Sequence, residues 1–273
     1  MASRYPRRML WFCCVPVLLY LVAPLVIVVP VSFSSASYLQ FPPPGFSFRW
    51  YESYFSDRSW IDATVLSLQV GVTVVVLSIA IGLLASIAMT RYRLPFSGIV
   101  RVMLMTPLIV PSIVVAVAVY SQYVDLHIIG SFWGIVLAHT VLALPFAILL
   151  LSSGLQQLPE SLEEASYMLG AGRLATFIRV VLPALAPSIL SAVLFAFITS
   201  WDEIIMVLFI GGTKGQTLPL KMFSYLRTEI NPTIGAISTL LIGLVVLGVI
   251  LSVILGWWRA RRRSNKAAGI LVR

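Results

Sequence analysis

"EEASYMLGAGRLATFIRVVLP", residues Glu163–Pro183, is a polar block in the middle of a chain that is otherwise overwhelmingly apolar. Its signals read as a short helix, a glycine turn and a second helix. Pro159 suits a helix start and Ser161 is placed to cap it. Glu160, Glu163 and Glu164 fall in the first turn, where negative charge favours the helix dipole. Leu162 to Met168 favours helix, and Gly170 and Gly172 end it. The second helix is expected from near Arg173 into "RVVLP". Ala165, Ser166, Gly170 and Ala171 are small enough for a partner surface to approach closely.

The surroundings of the block set the fold class. Of 273 residues, 59% are hydrophobic and 11% charged, with a mean hydropathy of +0.98. Soluble domains carry about 25% charged residues. Apolar runs of about 20 residues cross a bilayer as helices, because a helix satisfies its own backbone groups. The expectation is an all-α polytopic membrane protein with about six transmembrane helices and the polar block between spans four and five.

Chemistry is not indicated. No Walker A pattern, Ser/His/Asp arrangement or metal-ligand spacing is present, so no catalytic residue, cofactor or metal is expected. Cys13 and Cys14 are adjacent in an apolar run and read as packing residues. The net charge of +9 falls mostly in loops and tails, which fits a membrane surface and not nucleic acid.

The first apolar run, Met9 to about Phe33, follows the basic head "RYPRR" and reads as a retained signal-anchor span. Pro16, Pro24 and Pro30 are expected to bend it or limit its helical part. An aromatic, proline-rich stretch reads as an interfacial loop. Further runs are expected at Ile61 to Met89, Ile99 to Tyr120, Phe132 to Ser152, Ala184 to Ile210 and Thr233 to Trp258. The third carries Pro107 and Pro111 on one face.

Arg4, Arg7, Arg8, Arg91, Arg93, Arg173, Arg179 and the tail cluster Arg259, Arg261, Arg262, Arg263 and Lys266 alternate to one side. Arg49, Arg58, Lys214, Lys221 and Arg227 form a smaller set on the other. Lysine and arginine favour the cytoplasmic side, so the expectation is a multi-pass bacterial inner-membrane protein with both termini and the block in the cytoplasm.

The block also carries a spaced pattern, E-A-[AS]-x3-G-x9-[IV]-x-L-P, at Glu164, Ala165, Ser166, Gly170, Val180, Leu182 and Pro183. It resembles the EAA motif of permease subunits of binding-protein-dependent ABC importers, with Ser166 where alanine is commoner. "GIVLAHTVLALPFAILLL", "SWDEIIMVLFIGG" and "TLPLKMFSYLRTEINPTIGAISTLLI" look similar to PotC-type permeases of spermidine and putrescine importers. The resemblance covers nearly the whole chain. It implies one transmembrane permease domain over residues 1–273: a head (1–8), a transmembrane core (9–258) holding the cytoplasmic EAA loop (155–183), and a basic tail (259–273). It also implies a non-catalytic subunit that works with ABC ATPase subunits, a second permease subunit and a solute-binding protein, in contact with membrane lipid. Glu163, Glu164, Ala165, Ser166, Gly170 and Ala171 would couple to the ATPase. The implied cargo is a polyamine; relatives in that branch carry opines, aminobutyrate, phosphonates or other small solutes.

Four residues are candidates for the substrate path. Asp202 and Glu203 sit inside the fifth apolar run, where an acid usually faces a cavity or a partner. Trp201 is adjacent, and carboxylates beside an aromatic ring suit a flexible cation. The alternative for the acids is pairing with a basic residue or capping backbone on the partner permease. His139 lies six residues before Pro145; a lone histidine there more often packs through a hydrogen bond than binds a ligand. Two rival classes, an ion-coupled secondary transporter and a membrane scaffold, leave the polar block or the buried acids unexplained.

Overall fold

The computed structural model describes residues 7–92, 95–213, 215–228, 231–248, 250 and 254. The regular elements among the described residues are helices, joined by turns and loops, with one isolated bridge between Ser34 and Phe46. The basic tail, Arg4, Arg93 and Lys214 lie outside them, as does the end of the sixth apolar run. The chain divides into two compact units, Met1–Arg58 with Tyr225–Arg273, and Ser59–Ser224.

In the first unit, α1 (Arg7–Ser32) is a continuous helix through Pro16, Pro24 and Pro30. The three prolines therefore do not limit its helical part. Each removes one backbone donor, and a long apolar helix retains its remaining bonds. The aromatic stretch that follows is not all loop, because α2 (Arg49–Ser56) forms within it. The Trp50 indole donates to the Ser34 carbonyl at 2.8 Å, and Ser32 and Tyr51 hydroxyls lie 2.7 Å apart. These bonds give the stretch a fixed shape. A shorter apolar helix, Thr233–Gly248, belongs to the same unit.

The second unit is built around α3 (Arg58–Arg91), α6 (Phe132–Gln157) and α10 (Ala186–Trp201). The helix α6 is apolar almost all round and is the most enclosed of the candidate spans, as expected for a helix with neighbours on every side. On α3 the buried residues recur every three or four positions: Trp60, Ala63, Ser67, Val70, Val74, Ser78, Gly82 and Ser86. Much of this stripe is small, which allows close approach between backbones. A Cβ at Gly82 would lie 3.0 Å from the Ala147 Cβ, and one at Gly71 3.0 Å from the Phe197 ring. Ser86 Oγ donates to the Ile148 carbonyl at 3.2 Å.

Two expected runs are broken. The third splits into α4 (Ser97–Ile109) and α5 (Ser112–Asp125), bent by 106°. Val110 is extended (ψ 131°) because the proline at 111 disfavours a helical predecessor. Pro107 stays inside α4, so the two prolines do not share one helix face. The fifth run begins with a 70° bend between Ala184 and Ala186, and α10 stops at Trp201. The described residues therefore contain three long apolar helices, or up to five spans if each bent pair counts as one. The fourth run is longer than expected, reaching Gln157.

Gly82→Leu is expected to overpack the α3–α6 contact at a cost of about 1–3 kcal/mol. Gly243→Leu, where a Cβ meets open space, serves as the control. Thermal unfolding in detergent, followed by size-exclusion fluorescence, should show a lower midpoint for the first variant alone.

Candidate coupling block and path residues

The polar block folds as α7 (Glu160–Met168), a turn, α8 (Arg173–Thr176), a π-turn (Phe177–Val181) and α9 (Leu182–Ala184). Pro159 stands at the N-cap of α7, with extended backbone (ψ 134°). Ser161 is not the cap; it lies inside the first turn, because Pro159 already sets the chain direction and the helix starts at Glu160. The C-terminal end closes as a Schellman motif. The Gly170 N–H donates to the Tyr167 carbonyl at 2.9 Å, and Ala171 N–H to the Ser166 carbonyl at 3.1 Å. Gly170 takes φ +83°, which a side chain would strain.

The candidate coupling residues divide by direction. Glu163 turns inward: its Oε1 accepts from Arg91 Nε at 2.9 Å and lies 2.9 Å from Arg91 Nη2 in an ion pair. Arg91 Nη2 also donates to the Leu158 carbonyl at 3.0 Å, and its Nη1 lies 3.6 Å from Glu160. Ser166 is tied to Thr176, hydroxyl to hydroxyl, at 2.9 Å. Glu164, Ala165 and Gly170 are exposed, and Ala171 is half-buried. Beside them Met168 is 89% and Leu169 88% exposed, two large apolar side chains at the C-terminal tip of a helix whose backbone is already closed there.

The candidate path residues gather where α10 ends. Trp201 stacks on Phe197, ring centroids 5.6 Å apart. Asp202, Glu203 and Ile204 are not helical, and α11 (Ile205–Ile210) begins after them. The sequence places this pair within a continuous span; the structure places it at a break. Glu203 Oε1 accepts from the Met206 N–H at 2.9 Å and so caps α11 of its own chain. Asp202 is exposed. His139 is buried, 1% exposed, with Nδ1 3.0 Å from Ser200 Oγ. That bond joins α6 to α10 one residue before Trp201.

Two residues carry more than the sequence assigns them. Arg91 reads there only as one of the inside charges. Lys221 reads as a loop cation, yet it is buried at 3% exposure on α12 (Leu218–Thr228), over the Trp60 ring at 4.5 Å and bonded to Ser59. Its apolar neighbours Leu218 and Leu220 are the signal that marks it; no local signal marks Arg91, whose partners lie some 70 residues away.

Packed apolar helices, an exposed amphipathic helix closed at its C-terminal end and a polar break in one span fit a membrane permease subunit. Residues 78–264 match the family of binding-protein-dependent transport system inner membrane components. The chain belongs to that family, and it is a multi-pass inner-membrane transport subunit with no catalytic step of its own. It is similar to the spermidine/putrescine transport system permease PotC of Haemophilus influenzae, at 31% identity over 85% of this chain and 90% of the relative. The putrescine permease PotI of Escherichia coli is 33% identical over 83% of each chain. The diacetylchitobiose permease DasC of Streptomyces coelicolor is 36% identical over 58% of each. A bacterial ABC transporter that imports alginate shares the fold, with a TM-score of 0.68, covering 91% of this chain and 98% of that one at 16% identity.

Glu203→Ala is expected to remove the cap on α11 at a cost of about 1 kcal/mol, or a midpoint drop of about 2–4 °C for a chain of this size. Glu203→Gln retains an acceptor oxygen and should lose less. Thermal scans of both purified variants check this.

Proposed function

We propose that this chain is one half of the translocation pathway of an ATP-driven polyamine importer. A second, related permease subunit supplies the other half. Two ABC ATPase subunits bind below and a solute-binding protein docks above. Six spans, cytoplasmic termini and the domain limits 1–8, 9–258, 155–183 and 259–273 complete this reading. The likeness to two polyamine permeases over more than four-fifths of the chain carries the substrate class.

Geometry supports the assigned roles. The exposed Met168–Leu169 tip, beside Glu164, Ala165 and the open space around Gly170, has the shape of a plug for a cleft on the ATPase. Glu163, Ser166 and Ala171 hold the plug in place from within. On the path, the exposed Asp202 follows Trp201 directly in the chain at the break, and a carboxylate and an aromatic ring there are groups that attract an ammonium group. Glu203 fixes the break, and His139 braces it through Ser200. ATP binding moves the coupling helix, and the spans rock between inward and outward access, in the general logic of alternating access.

Uptake of labelled putrescine and spermidine tests the reading, in cells that lack polyamine import and carry this gene with its partner genes. Import that requires the ATPase is expected. An assembled, ATP-hydrolysing complex that ignores polyamines would overturn the substrate. It would favour another small solute, an outcome to which the diacetylchitobiose relative gives weight.

Two substitutions separate the roles. Gly170→Trp should assemble but lose ATP-driven uptake, because the indole blocks docking. Gly170→Ala carries the same backbone strain without the bulk and should retain most uptake. Asp202→Asn should weaken uptake of a cationic solute, raising KM more than it lowers the maximal rate. An equal fall in uptake of a neutral solute would assign Asp202 to structure instead.

A further inference from the structure

Arg91 is the last residue of α3, and its side chain is only 15% exposed. It directs its donors at two other elements: the carboxylate of Glu163 on α7 and the Leu158 carbonyl just past α6. An arginine that served only to mark the inner side of the membrane would be free to extend into water. This one instead clamps the start of the coupling helix to the end of a span.

We propose that Arg91 is the positioning residue that delivers movement of α7 to α3, and that α3 carries it as a rod to the break at Trp201–Glu203. The proposal rests on the reading of α7 as the ATPase-coupling helix. The route consists of contacts. From Arg91 to Gly71 is about 30 Å of helix at 1.5 Å per residue. Over that length α3 contains no proline and is packed closely by Gly82 on Ala147 and Ser86 on the Ile148 carbonyl. At its far end Gly71 meets the Phe197 ring, which stacks on Trp201.

The covalent route from α7 into α10 is softer. It leaves α7 through the turn at Gly170, is tied back by the neutral hydroxyl pair Ser166 with Thr176, and runs through the π-turn and the 70° bend before Ala186. Irregular turns of this kind absorb displacement. The Arg91–Glu163 bonds are charge-assisted and roughly twice as strong as neutral ones. Of the two routes, α3 is the stiffer, and a stiff element passes on a displacement that a jointed one dissipates.

The test follows maleimide labelling of Asp202→Cys, in a Cys13→Ala, Cys14→Ala background, within the assembled complex. ATP with vanadate is expected to change the labelling rate several-fold in the chain with Arg91. Arg91→Ala should abolish that change while the complex still assembles and hydrolyses ATP. Glu163→Gln should reduce it partly, and the double variant should do no more than Arg91→Ala alone, since the two residues act as one unit. Arg91→Lys, which retains charge but loses the fork of donors, replaces Arg91→Ala if the latter fails to assemble, and should also reduce the change. An undiminished labelling change in the arginine variants, additive losses, or no change in the chain with Arg91 would each overturn the proposal. None of these readouts requires a polyamine, so a wrong substrate leaves them intact.

Discussion

The approach of α3 to α6 at backbone distance is the contact on which the rest of the second unit depends. In lipid, helices gain little from hiding apolar surface from each other, so association relies on packing and hydrogen bonds. Small side chains make that possible here: Gly82 against Ala147, Gly71 against Phe197, and Gly154 beside Ser188. With those contacts made, α6 is enclosed and His139 reaches Ser200 on α10. The same register puts Arg91, at the end of α3, within reach of Leu158 and Glu163. Shifting α3 by one residue would turn its small stripe away from α6 and withdraw Arg91 from the block.

The block was legible in the sequence because its determinants are local. Proline at 159, acids in the first turn, and a glycine at 170 needing a left-handed backbone are chemistry within ten residues of one another. The apolar runs were legible for a similar reason, since each needs only its own composition. What the sequence did not yield depends on distant partners or on competing local signals. Ser161 looked like a cap, but Pro159 had already set the start. Val110 was forced out of helix by its successor, which turned one expected run into two helices at 106°. Lys221 has the composition of a loop cation and acquires its role only when Trp60 and Ser59 arrive from α3. Arg91 likewise has no local sign of its clamp.

The acidic pair at the fifth run shows how a break changes the meaning of a charge. In a continuous span both carboxylates would need outside partners, and each would cost a few kcal/mol to insert. A break supplies one partner at once, because the first N–H groups of the next helix have no acceptor within that helix. Glu203 takes that place on Met206. Its carboxyl oxygen is thereby committed to holding α11, and the acid left exposed is Asp202. The two adjacent acids are therefore not equivalent, although nothing in their residue type distinguishes them. Asp202, next to Trp201 in the chain, is left exposed, and Glu203 fixes the start of the helix that follows.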